Sequence, residues 1–326
     1  MCSKKLNFKQ GGFMKKLFVI LSITQIILAE NIEEEIMNKI DVKKEIEEGL
    51  EAPLPPWPTS SFLPPYLAYR YKLVYGSCFY LEDALKPYFY KYLYFKRFKI
   101  DNEKELLNYE ILFWYLTNST HILVGEVLKV EDRIIYYDSC DVFCKRAWVK
   151  LIKKYKGEFE KNIIPVWFST CEGRETSPPI YQEVFVRDTC LFFLEDLPFF
   201  CEKYIREHGK DINYFSGDFF AVGECGVFLI KEINGGKRIL GCVGQDFNLP
   251  YENVIDILNT FVPICEKLQE KARKYKFPLK DEEFAEFMKK RGYHYPLTDE
   301  EIEKIAKKTE KRRMEVENER KKILGF

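Results

Sequence analysis

The chain has 326 residues, 46% hydrophobic and 16% aromatic, enough to bury one large core or two small ones. Its 51 Lys plus Arg balance 51 Asp plus Glu, so no global field draws it to nucleic acid or to an anionic membrane. The 31% of charged residues, alongside only five Met, is a composition that leans thermophilic.

At the amino end, Lys9-Gln10-Gly11-Gly12-Phe13-Met14 sets a Gly-Gly pair just ahead of a second methionine, as a purine-rich ribosome-binding site does when read as codons. The expectation is that translation starts at Met14 and that residues 1–13 are misread upstream sequence. Met14-Lys15-Lys16 then forms a basic start, Leu17 to Leu28 an apolar run short for a bilayer span, and Ala29 a small residue before Glu30. This is the layout of a secretory signal over 14–29, cleaved between Ala29 and Glu30. A retained signal anchor competes, because Ile27 is bulky where a small residue is the rule; the membrane would then be met through this segment alone.

Export predicts a periplasmic or extracellular location, where cysteines pair. The disulfide candidates are Cys78, Cys140, Cys144, Cys171, Cys190, Cys201, Cys225, Cys242 and Cys265; nine leaves one over, and spacing does not give the connectivity. No two of them form a C-x-x-C pair, and the histidines are only His121, His208 and His294, which argues against a metal site. No phosphate-binding or dinucleotide glycine fingerprint is present, so no cofactor is expected.

In chain order, residues 30–52 read as an amphipathic helix, with Ile32, Ile36, Ile40, Ile46 and Leu50 near helical spacing. Residues 53–65 form a Pro-rich linker of polyproline II character. A β-rich globular domain is expected over 66–250 and a helical region over 251–326. Tyr69 to Tyr75 alternates like a strand. Pro87 to Phe98 interleaves aromatics with lysines, either a stacking platform for single-stranded nucleic acid or a half-buried strand or helix face; neutral charge and export favour the second. Glu103 to Leu116 reads as a helix.

Five strands follow: His121 to Val130, a return at Ile134 to Tyr137 after a turn at Glu131-Asp132-Arg133, Ala147 to Tyr155, Ile163 to Ser169, and Cys190 to Leu194. Phe199 to His208 is a predicted helix. Asp218 to Gly223 and then Cys225 to Gly244 read as a hairpin that caps or extends the barrel sheet, turning at Asn234-Gly235, the strongest short hairpin signal in the chain. Helices are predicted at Tyr251 to Tyr275 and Asp281 to Arg291, then from a cap at Thr298 to Leu324 as a solvated tail laced by i,i+4 ion pairs.

Thr120-His-Ile-Leu-Val-Gly125-Glu-Val, Tyr155-Lys-Gly157, Pro165-Val-Trp-Phe with Cys171, and Leu191-Phe-Phe-Leu together resemble the netrin-like domain, over about residues 118–197. That family includes the tissue inhibitors of metalloproteinases. The resemblance implies a five-stranded OB-type barrel with a ligand-binding face. Gly125 suits a bent first strand, Gly157 a turn of positive φ, and Gly235 the hairpin turn. Two departures matter. Arg187-Asp188-Thr189 stands where the family has a glycine before the last strand. With the mature end at Glu30, no cysteine precedes Cys78, so the amino-terminal cysteine that the inhibitors use on a protease zinc has no counterpart.

One enzyme reading remains. Gly76-Ser77-Cys78-Phe79-Tyr80 looks like the segment around the nucleophile of papain-like cysteine peptidases, and His208 follows at a compatible distance. The glutamine ahead of the cysteine and the Asn-Ser-Trp after the histidine are missing. The sequence therefore points to an α+β fold: an OB-like antiparallel β-barrel with a β-hairpin extension and α-helical N- and C-terminal segments. The expected role is binding or structural, with an unknown protein or small ligand at the cell envelope. A hydrolase using Cys78 and His208, and a docking subunit of an envelope assembly, are the alternatives.

Overall fold

The structure, a computed structural model, describes residues 32–51, 78–137, 140–168, 184–196, 217–222, 226–241, 247–275 and 281–325. The leader, the Pro-rich linker, the predicted strand at 69–75 and the predicted helix at 199–208 lie outside the described residues. Contacts divide the chain into two compact units, residues 1–40 and 41–326. The described part of the first is a short helix, α1, over residues 32–39.

The helix predicted across 30–52 is in fact two. Asp41 starts a new one, α2 (Val42–Glu51): its side chain accepts from Lys44 N at 3.2 Å and its carbonyl from Glu45 N at 3.0 Å. An Asp cap satisfies the orphan amides of a first turn, which is why a run with continuous apolar spacing still breaks there.

The larger unit is mixed α/β. A five-stranded barrel is closed by β1 (His121–Tyr137), β2 (Cys140–Lys156), β3 (Ile163–Phe168), β4 (Thr189–Glu195) and β5 (Phe219–Ala221). The ring order is β1-β2-β3-β5-β4, with β4 returning to pair β1 from His121↔Leu194 to Glu126↔Thr189. The pairing of β3 with β5 is parallel and the other ring pairings are antiparallel. On the far edge of β4, β6 (Val227–Ile233) takes over from β5, and β7 (Gly236–Gly241) and β8 (Phe247–Pro250) extend the sheet outward.

Two strand expectations need correction. The turn predicted at Glu131-Asp132-Arg133 does not form, because β1 runs through it to Tyr137 and pairs a β2 that begins at Cys140. The charges that suggested a turn are met across the strands, Asp132 by Lys145, and on the same strand, Glu131 by Lys129. The register shifts between Asp132 and Ile135, as at a β-bulge, and the ladder resumes. The expected second strand, Ile134 to Tyr137, is therefore the end of β1, and the barrel's remaining strand is the short β5, which precedes β6 to β8.

Inside the barrel lie Leu123, Val127, Ala147, Val149, Ile164, Val166, Phe168, Cys190, Phe192 and Leu194, alternate residues of their strands. The odd partners in β4 are buried too: Leu191 and Phe193 face helices rather than water. That double burial explains why Cys190-Leu-Phe-Phe-Leu is an unbroken apolar run.

The helices covering this wall are α3 (Glu82–Phe95), α4 (Glu103–Asn118) and α5 (Tyr251–Ala272). Their interior is aromatic. Phe89 stacks on Phe113 with centroids 4.3 Å apart, Phe261 meets both edge-on, and Tyr115 carries the cluster to Phe193 and Phe228 of the sheet. The Pro87 to Phe98 segment is therefore the half-buried helix face: Phe89, Tyr90, Tyr92 and Leu93 are buried, while Lys96 pairs with Asp256 of α5 at 2.9 Å.

The last helices are α6 (Asp281–Lys290) and α7 (Asp299–Leu324), which bring the described helices to seven. A capping box at Thr298 and Glu301 starts α7. The tail is not merely solvated, however. Arg312 bonds Glu45 and Glu48, and Lys308 bonds Glu48 and Glu51, so α7 is held along the acidic side of α2. Arg291, just past α6, adds bonds to Glu47 and Glu51.

Candidate functional site

Three structural glycines were expected, and each has a physical cause. Gly125 lies at a register shift in β1, where it pairs β2 on one side and β4 on the other. A Cβ there would sit 2.3 Å from Val149 Cγ1 and 3.0 Å from Lys150 O, so closure of the barrel leaves no room for a side chain. Gly157 ends β2 with φ +78°, and its Cβ would strike the His121 ring at 2.2 Å. Gly235, with φ 78° beside Asn234 at φ 52°, makes the two-residue hairpin turn between β6 and β7.

His121 closes one end of the barrel. Its ring lies against Phe159 and Phe219, and its Nδ1 is 2.8 Å from Thr120 Oγ1. Burial, assisted by the nearby Lys156 ammonium, lowers its pKa to about 4, so the imidazole is neutral near pH 7. Lys156 is itself buried and gives its ammonium to Ser119 O at 2.6 Å, beyond the end of α4.

On the helix side of Lys156 are the sequence's nucleophile candidate and a second cysteine. Cys78 is fully buried; its backbone N–H donates to Thr117 O at 2.8 Å and its thiol to Cys265 O, in α5, at 3.1 Å. Interaction with Cys265 lowers the pKa of Cys78, with burial opposing and Lys156 assisting, and the same interaction together with burial raises that of Cys265. Cys78, Cys190 and Cys265 are thiols here. Cys190 is a core side chain whose pKa burial drives up. His208, the proposed base, lies outside the described residues, as do Ala29, Glu30, Cys171, Cys201, Cys225 and Cys242. Cys140 and Cys144 are placed in β2 by their backbone alone.

Sequence reasoning missed a cluster on the outer face of β2 and β3. Arg146 pairs with Trp167 across the strands and lies between that ring, 5.5 Å away, and Trp148, 4.8 Å away. Its guanidinium bonds Asp218 at 2.9 Å, and Trp167 Nε1 donates to the same carboxylate at 2.7 Å. Burial raises the Asp218 pKa, and Trp167 and Arg146 oppose the rise. A planar guanidinium suits this double use, lying over the rings while its Nη2 meets both carboxylate oxygens. Farther along the same face Lys150, Ile152 and Ile163 are open to solvent, with Ile152 56% and Ile163 46% exposed.

Among the described residues no group of three or more His, Cys, Asp or Glu is arranged to hold a metal ion, and no described helix is long and apolar enough to cross a membrane. Compared with known proteins, the chain matches no family model, no curated protein and no solved structure.

Proposed function

We propose that this chain is an exported binding or scaffolding protein built on an OB-like barrel, without catalytic chemistry of its own, whose partner is a protein or small ligand of the cell envelope. The supporting observation is the ring order β1-β2-β3-β5-β4, with a long first strand that pairs both the second and the fourth. A closed five-stranded barrel in that order supports the OB-like reading, a scaffold whose β2–β3 face commonly receives ligands.

The netrin-like reading of residues 118–197 gains support from backbone geometry. Gly125 and Gly157 stand at a close approach and at a positive φ, where the resemblance uses them. Within Arg187-Asp188-Thr189, which stands where the family has a glycine, Arg187 has a left-handed backbone with φ 78°, which supports a similar path of the chain there. The hydrolase reading is less well supported, because the Cys78 thiol is buried and directed at a carbonyl oxygen.

In-cell photo-crosslinking tests the proposal, with a photoreactive residue at Ile152 or Ile163 on the barrel face and at Lys307 on α7 as control. The barrel-face positions should give discrete adducts with envelope components that the control lacks. Identical patterns at all three positions would overturn the binding role assigned to this face.

A further inference from the structure

We propose that Cys78 and Cys265 form a disulfide when the folded chain meets an oxidising compartment, stapling the segment before α3 to the middle of α5. The two residues are 187 positions apart in sequence, yet the Cys78 sulfur is 3.1 Å from the Cys265 carbonyl oxygen, which puts the two residues in direct contact. Both are fully buried. Both also sit on anchored backbone. Cys265 is interior to a helix, and Cys78 is tied at its N–H to Thr117 O and at its carbonyl to Leu81 N. A sulfur that already touches the other cysteine's backbone, with both backbones fixed, needs little more than side-chain rotation to reach its partner.

Nine cysteines allowed no connectivity to be read from the sequence, and Cys190, deep in the barrel core, shows that burial alone does not make a pair. What distinguishes Cys78 and Cys265 is their mutual contact next to the buried Lys156 ammonium, which favours a thiolate on Cys78. In the reaction, that thiolate attacks a disulfide donor of the glutathione class and releases one donor thiol. Cys265 then loses its proton, attacks the Cys78 sulfur and releases the second. Two protein thiols and one donor disulfide become one protein disulfide and two donor thiols, so the electrons balance. Burial of both sulfurs places this step during folding or a local opening, before Cys78 is sealed against α5.

The inference rests on the export reading for its occurrence in the cell, but the pairing itself can be tested without it. Full-length protein is folded in a glutathione redox buffer, its remaining thiols are alkylated under denaturing conditions, and it is cleaved after glutamate. This isolates Cys78 in residues 52–82 and Cys265 in residues 253–266, each without another cysteine. Mass spectrometry should find these two peptides linked and separated by reduction. Cys190→Ser should leave the link intact, and the oxidised chain should melt on the order of 10 °C above the reduced one. Alkylation of both cysteines after oxidation, or a link from Cys78 to any other cysteine, overturns the pairing. If the link forms in the tube but the chain recovered from cells, with thiols blocked at lysis, carries both as thiols, the pairing stands and the export reading falls.

Discussion

His121 is the residue whose protonation most clearly couples to folding. Its imidazole is held neutral between aromatic rings beside a buried ammonium, with a pKa of about 4 against an ordinary value of 6.5. Between those values the unfolded chain takes up a proton that the folded chain refuses. Stability is therefore complete above pH 6.5, falls as pH drops through this window and levels off below about 4. Urea unfolding at pH 7.5 and 4.5 should differ by about 2–3 kcal/mol from this group. His121→Gln should remove most of that difference, and an unchanged pH profile in the variant would assign the effect elsewhere. Arg187 gives a second test at this scale. A non-glycine residue at φ 78° carries a steric cost of about 1–2 kcal/mol. Its backbone N–H is used in a bond to Val127 O at 2.7 Å, so the conformation is fixed by the strand contact. Arg187→Gly should raise the free energy of unfolding in urea by about 1 kcal/mol, because the relief exceeds the added freedom of the unfolded chain.

Among elements, the least expected arrangement is α7 alongside α2. Arg312 and Lys308 meet Glu45, Glu48 and Glu51, so charge ties α7 to α2 while the helix packs along α3. Individual exposed pairs are worth about 0–1 kcal/mol, but several on shared carboxylates act together. Arg312→Glu should speed amide hydrogen exchange across Val42–Glu51 by roughly tenfold, about 1.4 kcal/mol, while leaving β4 protected. Equal exchange in the variant would mean that α2 is held by its apolar residues Val42, Ile46 and Leu50 instead. The Asn234-Gly235 hairpin, the Thr298 cap and the apolar run of β4 could be read in advance, since each depends on neighbours within a few residues. The continuation of β1 through Glu131-Asp132-Arg133 could not, because its charges find Lys145 on the partner strand. The Arg146 cluster was hidden for the same reason. Asp218 lies 72 residues from Arg146 and 51 from Trp167, and only the parallel contact of β3 with β5 brings them together.

At the largest scale, aromatic packing and a closed barrel give the larger unit an interior in which the polar groups at the described sites are largely engaged with one another. Lys156 is bound to Ser119, Arg146 to Asp218, and Cys78 to Cys265. Such an interior suits a scaffold that presents an outer strand face, and the proposed staple between Cys78 and Cys265 suits a compartment without a reducing thiol pool. Both lead back to the amino-terminal segment from Met14 to Ala29. The most direct test is to express the chain with its own leader, fractionate the cells and determine the amino terminus of the recovered protein. The account predicts protein outside the cytoplasm that begins at Glu30. Protein confined to the cytoplasm with Met14 to Ala29 still attached would contradict it.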